Sequence, residues 1–173
     1  MKRIIALAGI LLFVFACQNR EAGTSTSESE AINAKSRAVY KAIETGDVSG
    51  LDSIIDKDVV DHDMGGIRGL DSVKKMLSDI HTHFDDLKFD IIAQANNGDY
   101  HFTLLTFNGT PKDNFMGMEA GRRVSMKAVD VVRIKNGKMV EHWGFTDNAE
   151  MMKMQMAHGQ GTDTTKKDTT KPY

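Results

Sequence analysis

The chain has 173 residues, with 22 Lys and Arg against 24 Asp and Glu and a formal net charge of −2. One domain is the natural count for this length, and the slight acidity argues against nucleic acid as a partner. Cys17 is the single cysteine, so an intrachain disulfide is excluded.

Lys2 and Arg3 precede an apolar run from Ile4 to Phe15. A charged start, a short apolar stretch and a small residue before a break read as an export signal, and the run is too short to span a bilayer as a helix. Val14-Phe15-Ala16-Cys17 resembles a bacterial lipoprotein box. That resemblance implies a signal peptide over 1–16 and an acylated Cys17. It also implies a lipid anchor in a bacterial cell envelope, at the outer membrane or its periplasmic face. The bland alternative is an ordinary signal peptide with an incidental cysteine. Residues 17–29 are polar and read as a flexible tether, and 159–173 (GQGTDTTKKDTTKPY) as a disordered tail. The folded unit is expected over 30–158.

Inside that unit Ile32, Ser36, Val39, Tyr40 and Ile43 recur at helical spacing, and Gly46 stops the helix. Val48, Leu51, Ile54 and Ile55 suggest a second, short helix. Val59–Asp63 reads as extended, Gly65-Gly66 as a turn, and Leu70, Val73, Leu77 and Ile80 as a third helical stripe. From Leu87 the pattern alternates, with strands expected at 87–95, 100–109, 122–134 and 138–146. Turns fall at Asn96-Asn97-Gly98-Asp99 and Asn136-Gly137. Helices followed by a meander of strands argue an α+β fold, with helices on one face of an antiparallel sheet.

"ETGD" (44–47), "VVDHD" (59–63), "GIRGLDSVKKML" (66–77), "HFDDL" (83–87), "AGRRV" (120–124) and "VDVVRIKNGKMVEHW" (129–143) occur in that order, ahead of Asp147 and "MMKMQM". By these segments the chain is similar to the SnoaL-like polyketide cyclases, within the larger nuclear transport factor 2-like fold. The resemblance covers about residues 34–157. It implies a cone-shaped, curved antiparallel sheet (a cystatin-like roll) wrapped around helices, with an apolar pocket inside. The scaffold hosts isomerases, dehydratases, cyclases and plain binders, so fold alone does not give function.

Periodicity leaves two registers open for the hairpin over 129–146. A two-residue turn at Asn136-Gly137 places Asp130 opposite Trp143. A three-residue loop pairs Ile134 with Lys138 and places Asp130 opposite His142. The resemblance favours the second, because family members keep active groups on one face at positions matching Asp130 and Gly144. Met126, Ala128, Asp130, Val132, Val140, His142, Gly144 and Thr146 then face the pocket, with Met76 from the third helix. Val129, Val131, Glu141, Trp143 and Phe145 form the outer face. Such an apolar outer face should not stay in water. The family commonly dimerises there, which implies a homodimer; a terminal segment covering Trp143 is the alternative.

Asp130 sits among Met126, Ala128 and Val132, and burial there favours the neutral acid. The resemblance matches it to the protonated Asp of ketosteroid isomerase, a neutral carboxylic acid that donates to an oxyanion. His142 nearby offers the opposite state, a paired carboxylate and imidazolium. The isomerase's base falls on His62 and its helix-one Tyr one residue away from Tyr40. The cyclase base falls on Gly144, which carries no carboxylate. His62, Asp130 and His142 are therefore the candidate proton-transfer groups, although a hydrogen bond to a neighbouring carbonyl is an equal reading of His62. Asp147, three residues before Glu150, reads as a helix cap rather than a catalytic acid. His81 and His83 fall on different helix faces, which supports a dipole interaction over a metal site. Met116 and Met118 suit an adaptable pocket mouth or plain packing.

These readings converge on an exported SnoaL-like lipoprotein with a pocket for a small apolar carbonyl or ring compound. Its chemistry would be acid–base proton transfer of isomerase, cyclase or lyase type, without cofactor or metal. The rival is a non-catalytic ligand-binding or dimeric assembly module.

Overall fold

Apolar residues three and four apart dock the first helix against the sheet. In the computed structural model, which describes residues 26–147 apart from Met64, together with Ala149 and Met152, that helix, α1, runs Thr26–Thr45 and buries Tyr40, Ala42 and Ile43. It starts inside the stretch expected to be tether, so residues 26–29 are helical. The expected signal peptide, Cys17 and the tail over 159–173 lie outside the described residues. Gly46, at φ +72°, releases the chain from α1 in the left-handed conformation that L side chains rarely adopt.

A 3-10 turn over Ser49–Ser53 follows, then β1 (Ile55–Asp61), a two-residue β2 (Ile67–Arg68) and helix α2 (Leu70–Thr82). Ile55 opens the strand instead of closing a helix. The remaining strands are β3 (Lys88–Asn97), β4 (Tyr100–Gly109), β5 (Val124–Lys135) and β6 (Lys138–Thr146). They make one six-stranded sheet in the order β2-β1-β6-β5-β4-β3. The sheet is mixed rather than purely antiparallel, because β1 lies parallel to β6. No hairpin joins that pair, so no tight turn dictates an antiparallel direction.

The sheet's inner face and the two helices enclose the core. Leu51, Ile55, Val59, Phe84 and Leu105 are almost fully buried in it. Phe84 occupies the space over Gly109, where a Cβ would lie 2.7 Å from its Cδ1. Among the described residues no helix is long and apolar enough to cross a membrane.

The β5–β6 hairpin adopts neither expected register. Asn136 (φ +52°) and Gly137 (φ +73°) make the two-residue turn, and Lys135 pairs with Lys138. Ile134 then pairs with Met139, but Arg133 pairs with Glu141, leaving Val140 in a bulge. A tight turn plus one bulge displaces the strand by two residues from the three-residue-loop register. An even displacement preserves the faces beyond the bulge and changes the pairs: Asp130 lies opposite Gly144, not His142. At the bulge itself the faces do change. Met139 lines the interior in place of Val140.

Candidate active site

A cavity of about 240 Å³ opens between α1, α2 and the concave face of the sheet. Most of its wall is apolar: Val39, Ile43, Val59, Leu77, Phe89 and Leu105, with the expected Met76, Met126 and Val132. Thr146 lines it near solvent, whereas Val140 does not line it. Met116 and Met118 also line it, and they sit in a tight hairpin closed by reciprocal Phe115–Met118 backbone bonds. Met118 is buried and Met116 is 61% exposed. Such a pair leaves one methionine packed and the other free at the rim.

Polar side chains from three elements meet on one wall. Asp130 comes from β5, His142 from β6 and Asp61 from the end of β1, whose Cα partner is His142. His142 Nδ1 lies 3.0 Å from Asp61 Oδ2, a charge contact bent away from a straight hydrogen bond. Its Nε2 lies 3.8 Å from Asp130 Oδ1, beyond hydrogen-bonding distance. The other Asp130 oxygen accepts a 2.8 Å hydrogen bond from the Tyr40 hydroxyl. Of the two states open to Asp130, this geometry is the paired one.

Burial alone would push the His142 imidazole down. The nearby carboxylates of Asp130, then Asp61, outweigh it and raise its pKa to about 10. At neutral pH the group is an imidazolium held between two carboxylates. Burial, then the charge of Asp130, pushes the Tyr40 phenol far above its usual range, so it stays a donor. Asp61 is only 3% exposed and lines the cavity wall beside the imidazole. It braces the imidazolium from behind.

A second polar chain crosses the same face. His101, 1% exposed, donates its Nδ1–H to Asn96 Oδ1 at 2.9 Å, and its Nε2 lies 3.0 Å from Thr103 Oγ1. Burial lowers its pKa, which keeps it neutral. Ser36 Oγ is 3.2 Å from Thr103 Oγ1.

Asp130 and His142 lie on one cavity wall, 3.8 Å apart, although they are not cross-strand partners. His62 does not join them. Its ring stacks on Trp143, with centroids 4.7 Å apart and planes 5° apart, and its Nε2 lies 3.0 Å from Glu141 Oε2. Asp61 points inward on β1, so its neighbour in an extended chain points outward. This corrects the placement of His62 in the pocket. Tyr40, read as one residue out of register, reaches Asp130 after all. Gly144 faces inward and leaves room for the carboxylate of Asp63: a Cβ there would lie 2.5 Å from Asp63 Oδ2.

Asp61, Asp63 and His101 are the site residues that sequence reasoning missed, and Tyr40 is one that it set aside as out of register. Asp147 caps the following segment, accepting from Ala149 N–H at 2.9 Å. His81 packs on Gly46, while His83 pairs with Asp113 at 3.0 Å and stacks on Phe115.

A model of the SnoaL-like polyketide cyclase family matches residues 34–154. No curated protein is significantly similar to the chain. Among solved structures, TsrD from Streptomyces laurentii superposes with a TM-score of 0.65 at 21% identity, over 72% of this chain and 94% of that one. A SnoaL-like polyketide cyclase from Agrobacterium tumefaciens gives 0.63 at 21%, over 72% and 97%. An LEH-like epoxide hydrolase from M. tuberculosis gives 0.60 at 17%, over 75% and 92%. At these identities the likeness shows a shared fold.

Proposed function

The chain belongs to the SnoaL-like polyketide cyclase family, and from that premise we propose that its cavity binds a small apolar carbonyl compound and moves a proton on it. One observation carries this reading: an imidazole, flanked by the carboxyl groups of Asp61 and Asp130, faces a mostly apolar cavity. Asp61 and Asp130 fix the orientation of His142. Its Nε2–H can then meet a carbonyl oxygen and stabilise the negative charge that develops there as the adjacent C–H proton leaves. Low polarity around the site strengthens that interaction. Tyr40 holds Asp130 in place, and the apolar wall orients the rest of the ligand. The same step opens the way to isomerisation, ring closure or elimination.

The test is exchange of an acidic C–H proton of a bound ketone for deuterium, followed by NMR. A panel of apolar ketones, 2-tetralone among them, is first screened by thermal shift. Wild type should exchange the ketones that bind, and Asp130→Asn should exchange them about 10²–10⁴-fold more slowly. Binding without exchange would leave a non-catalytic ligand-binding module.

Two further readings belong to the same account. The apolar outer face supports a homodimer, since Phe102, Val131 and Trp143 lie in one cross-strand row and Leu104, Val129 and Phe145 in the next. The Val14–Cys17 segment supports export to a bacterial cell envelope with a lipid anchor on Cys17. The mass of the mature N-terminal residue tests the latter.

A further inference from the structure

Position 144 has no side chain, and a neighbouring loop fills the space. A Cβ on Gly144 would lie 2.5 Å from Asp63 Oδ2 and 3.3 Å from its Cγ, and 3.8 Å from Asp130 Oδ1. The Asp63 carboxylate therefore rests on the Gly144 backbone, on the same wall as Asp130 and His142, and it lines the cavity. Any side chain at 144 would displace it.

The loop that carries Asp63 is tied to the imidazolium. Asp61 Oδ1 accepts from the Asp63 backbone N–H at 2.9 Å, while Asp61 Oδ2 meets His142 Nδ1 at 3.0 Å. One buried carboxylate thus sets both groups. His62 N–H donates to the His142 carbonyl at 2.8 Å, and Gly66 N–H to the Asp63 carbonyl at 3.0 Å. Gly65 and Gly66, at φ +92° and +82°, turn the chain back sharply enough to aim Asp63 inward.

Asp130 is badly placed to accept a proton from carbon. One of its oxygens already takes the Tyr40 hydroxyl, and the other faces the imidazolium. Asp63 differs in its exposure. It is exposed at the solvent side of the cavity, so a proton it accepts can leave to water between turnovers.

We infer that Asp63 is the catalytic base of this pocket and that Gly144 exists as its seat. The inference rests on the acid–base reading above. The Asp63 carboxylate takes a proton from the carbon next to the ligand's carbonyl. The C–H electron pair becomes the C=C bond of an enol, and the carbonyl oxygen takes the proton that His142 Nε2 gives. Asp63 is left as the neutral acid and His142 as the neutral imidazole, and reprotonation of carbon with return of the enol proton resets both.

The ketone-exchange assay separates this assignment from the reading it rests on. Asp63→Asn should fold as wild type by thermal midpoint and bind 2-tetralone or another panel ketone within a few-fold, yet exchange it about 10²–10⁴-fold more slowly. Gly144→Asp on the Asp63→Ala background returns a carboxylate to the same space from the opposite side, and it should recover exchange at least tenfold over Asp63→Ala. A merely structural role for Asp63 predicts no such recovery. Wild-type exchange that survives in Asp63→Asn, or a double variant no faster than Asp63→Ala, overturns the assignment alone. A wild type that binds no panel ketone, or binds without exchange, overturns the acid–base reading and the assignment together.

Discussion

The Tyr40 hydroxyl donates a 2.8 Å hydrogen bond to Asp130 across 90 residues of chain. It joins α1 to β5 and leaves one Asp130 oxygen fixed before any ligand arrives. Tyr40→Phe keeps the ring packed on Phe89, 5.2 Å between centroids, and removes only the donor. Hydrogen bonds to charged groups contribute about 1.5–3 kcal/mol. Urea unfolding should show a loss of about 2 kcal/mol, and an unchanged midpoint would mean that water replaces the phenol without cost.

The His142 cluster sets a pH dependence. Its folded pKa is raised from 6.5 to about 10. The stabilisation is therefore fully present below pH 6.5 and is lost as pH climbs toward 10. A tenfold change in proton affinity is worth about 1.4 kcal/mol, so the loss is on the order of a few kcal/mol. Wild type should lose stability over this window by more than His142→Gln, which lacks the titrating group. Parallel curves for the two proteins would contradict it.

What could be read from the sequence followed from how strictly each pattern constrains the chain. Strands and helices with clean periods, such as Leu70–Ile80 and 100–109, fell within a few residues. The hairpin register did not, because a bulge at Val140 leaves no compositional mark. Its even displacement is why Asp130 and His142 share a face regardless. In "VVDHD" two adjacent valines give no alternation, and the resemblance to the isomerase put His62 at the inward position that belongs to Asp61 and Asp63. A carboxylate buried as Asp61 is runs against the ordinary expectation for that residue type. Its ion pair with a histidine 81 positions away and the Asp63 N–H it accepts make it tolerable, and local sequence carries no trace of the histidine.

The outer face gives a prediction about assembly. Phe145 is 57% exposed, beside Leu104 at 37% and Phe102 at 36%. Contiguous apolar surface of this kind marks an interface. Sedimentation equilibrium should find a dimer, and Phe145→Asp should shift it to monomer without changing the fold. A wild-type monomer at tens of micromolar (~10⁻⁵ M, against the micromolar affinities of weak complexes) would remove the dimer from the account.

Gly109→Ala tests packing away from the site. The new methyl would meet the Phe84 ring at 2.7 Å, and Phe84 is 1% exposed. Overpacking of this kind costs about 1–3 kcal/mol. Thermal unfolding should show that loss with the His142 titration unaltered, and a neutral outcome would show that Phe84 has slack.

The central claim is that a histidine cation sits between Asp61 and Asp130 in an apolar cavity. Heteronuclear NMR of ¹⁵N-labelled imidazoles reads it directly. His142 should carry both ring protons at pH 7 and still carry them at pH 8.5, and Asp130→Asn should move its titration toward the ordinary 6.5. A His142 that already titrates near 6.5 in the wild type would contradict the claim, and the proposed acid would be lost with it.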